Sequence, residues 1–148
     1  MSTTVNVVNN TVQVNLVDED ITLDILSGGL VPISDDVSLV AGVNLSALRA
    51  VTTNGSGQAV YASNDTLANA QVVGITNNST VSGENAVIKT SGVMTDASWS
   101  WTKGTVYLGT NGALTQTAPT GGAVIVHVGR ALTATKLQVD IDTIITTV

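Results

Sequence analysis

Apolar side chains recur at every second position in three short runs within the first 25 residues. Val5 and Val7 share one face. After Asn9-Asn10 come Val12, Val14 and Leu16, with Gln13 and Asn15 between them. After the acidic triplet Asp18-Glu19-Asp20 come Ile21, Leu23 and Ile25. A period of two puts each set on one side of a strand, whereas a helix would scatter it around the axis. Asn-Asn tolerates positive φ and suits a hairpin turn. Three strands this short bury too little to stand alone. They need a second layer from the rest of the chain, a neighbouring subunit or a host shell. Ser27-Gly28-Gly29 reads as a hinge, which Pro32 and Asp35-Asp36 lengthen. Residues 1–37 are therefore expected to form an N-terminal β arm, and residues 38–148 a compact domain.

That domain also reads as β. Val and Thr, at 23 and 22 residues, dominate the chain, and both are stiff, β-branched residues that favour a pleated surface. One long extended run is expected from Val40 to Thr53. Asn54-Gly55-Ser56-Gly57 then turns, and Ala59–Ala62 returns. Residues 63–70 read as a loop or one helical turn, and Gln71–Thr76 as a strand ended by Asn77-Asn78-Ser79. Ala86–Thr95 reads as one strand with a bulge at Gly92. Asn111-Gly112, between Thr105–Thr110 and Ala113–Thr117, is the strongest hairpin signal. Val124–Leu132 and Lys136–Ile141 complete a small barrel or sandwich. The fold class is all-β.

Only 11% of residues are charged, against about a quarter in an average globular protein. A subunit that buries much of its surface against copies of itself tolerates this, so an oligomer is expected. The charge is also uneven. Residues 1–48 hold six acids and no base, whereas residues 49–148 hold five of each. Phosphate binding needs clustered Lys and Arg, so nucleic acid is not expected as a partner. No apolar run approaches the length of a membrane-spanning helix. Met1-Ser2-Thr3-Thr4 lacks the basic and apolar regions of a signal peptide, so synthesis in the cytoplasm is expected.

Catalytic constellations are scarce. The single histidine, His127, lies on the opposite strand face from Val126 and Val128, and the absence of cysteine removes thiolate zinc sites. Asp18/Asp20, Asp35/Asp36 and Asp140/Asp142 are carboxylate pairs of the kind glycosidases use, but turns and solvated faces account for them. Calcium ligation by Asp18-Glu19-Asp20 or Asp35-Asp36 lacks EF-hand spacing. Gly55-Ser56-Gly57 and Gly121-Gly122 precede no helix that could present a phosphate site. No cofactor, metal or catalytic residue is assigned. Trp99 and Trp101 flank Ser100 and share a face if extended. Such a pair can form a sugar platform, but filling a subunit interface or capping a barrel end is the favoured reading.

Three stretches carry a resemblance. They are Ala41–Val51 followed by Gly57–Ser63, Thr90–Gly104 with its Trp99-Ser100-Trp101, and Val106–Pro119 with Tyr107-Leu108-Gly109 before Asn111-Gly112. Together with Val128–Asp140 they resemble the β domain of capsid decoration (cement) and head-fibre proteins of tailed bacteriophages, over roughly residues 38–142. The resemblance implies a non-enzymatic virion protein, commonly a homotrimer, whose partner is the major capsid protein. Many relatives insert a collagen-like segment between arm and domain. This chain has only Ser27-Gly28-Gly29, which fits a compact subunit better than a long fibre. Candidate contacts with the capsid or between subunits are Val5, Val7, Val12, Val14, Leu16, Ile21, Leu23, Ile25, Trp99, Trp101 and Tyr107. The alternative is a tail-fibre or baseplate adaptor that binds host-surface glycans. A carbohydrate-active enzyme using Asp140 and Asp142 is a third, minor reading.

Overall fold

A computed structural model of the chain describes residues 35–121, 124–142 and 145–146. The arm strands, the hinge and Pro32 lie outside the described residues. So do Val5, Val7, Val12, Val14, Leu16, Ile21, Leu23 and Ile25.

The described chain is all-β. β1 (Asp36–Val40), β2 (Ala50–Thr53), β3 (Ala59–Tyr61), β4 (Gly74–Thr76) and β5 (Asn85–Lys89) form one antiparallel sheet in the order β1-β5-β4-β2-β3. β6 (Ser91–Thr95), β7 (Gly104–Leu108), β8 (Leu114–Thr115), β10 (His127–Thr133) and β11 (Lys136–Asp140) form a second, in the order β6-β11-β10-β7-β8. β9 (Val124–Ile125) pairs with β12 (Ile145–Thr146). Alternation sets the faces. In β11, Leu137 and Val139 are buried while Lys136 and Asp140 are exposed. In β7, Val106 and Leu108 point inward and Tyr107 points outward.

Two clusters form the core. The larger joins Ala50 and Ile75 of the first sheet to Met94, Val106, Leu108, Val128, Ala131, Leu137 and Val139 of the second. The smaller lies on the other face of the first sheet, where Ala41 and Leu45 cover Val51, Ala59, Ala86 and Ile88. The central strands β2 and β4 are thus buried on both faces.

This second cluster corrects the long run expected from Val40 to Thr53. The chain leaves the sheet after β1 and crosses its open face over residues 41–48. It re-enters as β2 through Leu48 at φ 60°. Burying Leu45 over the sheet outweighs continuous strand pairing here. The crossover is held by polar bonds. The Ser46 amide donates to the Tyr61 hydroxyl at 2.7 Å, and the Ser82 amide donates to Asn44 Oδ1 at 2.9 Å.

Ala86–Thr95 is likewise two strands in different sheets, not one bulged strand. Ile88 belongs to the smaller cluster and Met94 to the larger. The switch is at Thr90, whose amide and hydroxyl both donate to the Asp35 carbonyl, at 2.8 and 2.7 Å. Asp36, expected in the break, opens β1, which straddles the boundary expected between residues 37 and 38. Gln71–Thr76 shortens to β4. Val124–Leu132 divides at Val126, which is fully buried. A bulge between His127 and Gly129 against β7 then turns both His127 and Arg130 away from the core. At Asn111-Gly112 both residues have positive φ, 52° and 71°. The Ala113 amide closes that turn on the Thr110 carbonyl at 3.1 Å, as a primed turn requires.

Candidate interaction surfaces

Two surfaces gather the side chains of interest. The first is built around Trp99 and Trp101, on a segment outside any strand but fixed at both ends. Asp96 Oδ1 accepts the Ser98 amide at 2.8 Å, forming an Asx-type turn before Trp99. Those hydrogen bonds, the Ser98 hydroxyl foremost and then its amide, hold the Asp96 carboxyl below its ordinary 3.8. The Trp101 amide donates to the Ala134 carbonyl at 3.0 Å, in the turn between β10 and β11. Beyond it, Gln116 clamps Thr102, accepting its amide at 3.0 Å and donating to its carbonyl at 2.6 Å.

Held this way, the indoles sit 5.8 Å apart between centroids, at 52°. They pack inward on the larger core, yet both remain half-buried. With Leu48, Arg49, Ala113 and Leu114 they line an open cleft of ≈ 280 Å³. Arg49 is fixed by Thr76, whose hydroxyl accepts its amide at 3.0 Å and whose amide donates to its carbonyl at 2.9 Å. The half-buried Arg49 side chain has no hydrogen-bond or ion-pair partner among the described residues. The Trp101 indole N–H is buried without an acceptor among them; such a donor costs about 1–3 kcal/mol.

The second surface is the outer face of β10 and β11. His127, Arg130, Gln138, Asp140 and Asp142 line a shallow groove of ≈ 240 Å³ with Thr105. Tyr107 meets His127 edge-on at 5.0 Å, and the Asp142 amide donates to the His127 carbonyl at 3.0 Å. Asp140 and Asp142 do not share a strand as expected, because β11 ends at Asp140. They nevertheless meet the same groove. Among the described residues no group of three or more His, Cys, Asp or Glu is placed to hold a metal ion. None of their helices is long and apolar enough to cross a membrane.

Of the sequence candidates, Trp99 and Trp101 come together, while Tyr107, on the outward face of β7, packs edge-on against His127 instead. Asp35/Asp36 separate by role. The Asp35 carbonyl receives Thr90, and the Asp36 carboxylate pairs with Lys89 at 3.5 Å. Leu48 and Arg49 are neighbours of the tryptophans that the sequence does not mark. About fifty residues separate them, and no local pattern links the two segments. Comparison with known protein families and with curated proteins finds no match to this chain.

Proposed function

We propose that this chain is a structural, non-enzymatic subunit of a tailed-bacteriophage particle. In this reading it binds the outer capsid surface as a decoration (cement) or head-fibre protein and acts as a homotrimer. Its β domain is a small sandwich, and residues 1–27 anchor it to the major capsid protein. The observation that carries the reading is the apolar edge of the first sheet. Val37 on one face of this edge, and Val40 and Val87 on the other, remain 38–40% exposed in a chain with only 11% charged residues. Surfaces of this kind finish their burial by association. The resemblance across residues 38–142 supplies the phage setting.

Docking by added strands suits the alternating arm, because main-chain hydrogen bonds give affinity without demanding particular side chains. Three linked arms add avidity without new contacts. A ligand that binds only the assembled shell stabilises it by linkage.

The test combines solution mass with co-sedimentation on capsids that lack the subunit. The full chain should weigh three times its 15.0 kDa and co-sediment. A chain lacking residues 1–27 should remain trimeric and stay in the supernatant. Undiminished binding by the truncated chain would refute the arm as anchor, and a monomeric mass would refute the trimer.

A further inference from the structure

We propose that the cleft between Trp99, Trp101, Leu48 and Arg49 binds an acidic saccharide, a uronate-type unit of a glycan. The inference does not depend on where the subunit sits on a particle. Both tryptophans of the chain are at this one place, and both residues are only half-buried. A tilted pair of indoles offers two apolar planes that match the C–H faces of a pyranose ring, while indole N–H groups serve its hydroxyls. The floor is aliphatic, from Leu48 and Leu114.

The charge selects the ligand further. Arg49 is a half-buried cation without a carboxylate among the described residues. A partly desolvated guanidinium favours a planar, two-oxygen acceptor, which a uronate carboxylate supplies beside an apolar ring face. Trp101 also lines the cleft with its buried N–H lacking an acceptor. A tilt of that ring hands the donor to a sugar oxygen. The volume of ≈ 280 Å³ is at the small end of ligand sites, so it suits one sugar unit rather than a long stretch of chain. An acidic peptide fits less well. Peptides gain affinity by extending a strand edge, and the neighbouring strand β8 has only two residues.

Because the only tryptophans line the cleft, their fluorescence reports on it alone. The full chain is titrated with trigalacturonate, maltotriose and an N-acetylated triglutamate peptide. Trigalacturonate should change the emission saturably and bind about tenfold or more tighter than maltotriose, a gap that added salt narrows. Arg49→Gln should weaken trigalacturonate about tenfold without changing maltotriose, and Arg49→Lys should recover part of the loss. An unchanged urea midpoint confirms that both variants fold. Absence of a saturable response to trigalacturonate, or equal binding by Arg49→Gln, would overturn the proposal. Tighter binding of triglutamate would assign the cleft to a peptide. Emission that changes with protein concentration alone would assign it to a second copy; either result also overturns the saccharide.

Discussion

The Thr76 hydroxyl donates to the Ser46 carbonyl at 2.7 Å and accepts the Arg49 amide at 3.0 Å. Thr76 is fully buried in β4, so this one hydroxyl ties the 41–48 crossover to the centre of the first sheet. Thr76→Val keeps the shape and removes both bonds. It should lower the unfolding free energy by about 1–3 kcal/mol, as a buried polar group losing its partner does. Thr76→Ser should retain most of that stability. Urea titration with an unchanged m-value reads the difference.

Gly129 lies where the bulge of β10 meets β11. A Cβ there would come 2.0 Å from the Gln138 carbonyl oxygen, so Gly129→Ala must push two paired strands apart. A loss of more than about 2 kcal/mol is expected, on the scale of overpacking a close contact. Gly55 is the control, since a Cβ there meets nothing within 4 Å. Gly55→Ala should stay within about 0.5 kcal/mol of the parent, as surface substitutions do. Thermal melts of both variants check the contrast.

Leu137 is fully buried in the core shared by the two sheets. Leu137→Ala should cost about 2–5 kcal/mol, the transfer term plus the cavity left behind. Urea unfolding followed by circular dichroism should also show one transition, because both sheets rest on this cluster.

Acid should loosen the tryptophan segment. The Asp96 carboxyl is held below 3.8 by the Ser98 hydroxyl and amide. A carboxyl depressed in the folded state contributes stability above its unfolded value and loses it as pH falls through the folded one. The turn before Trp99 should therefore hold above pH 3.8 and open below it, shifting tryptophan emission. Asp96→Asn should flatten that shift. Asp65, also lowered, mainly by the Asn69 side chain, lies on a separate loop, and its protonation should leave the emission unaffected.

The strands with regular alternation are legible in the sequence, because one face of each meets a core. Ala86 and Ile88, Val106 and Leu108, and Leu137 and Val139 are all buried in the sense their spacing implies. The turns at Asn54–Gly57 and Asn111-Gly112 were legible from their backbone chemistry. The breaks at residues 41–48 and at Thr90 were not. There a continuous β-rich stretch changes sheet or leaves it, and what decides is burial against distant residues such as Ala59 and Leu137. The tryptophan cleft was half legible. Trp-x-Trp marks itself, but Arg49 arrives only through the pairing of Arg49 with Thr76.

Attachment to the outer face of a viral shell is the proposed function. Cryo-electron microscopy of virus particles from the source of this chain, with a Fab raised against it as marker, tests that proposal most directly. Fab density is expected at repeated, three-fold-related positions on the capsid exterior. Fab density confined to the tail or baseplate, or particles that carry none, would contradict it.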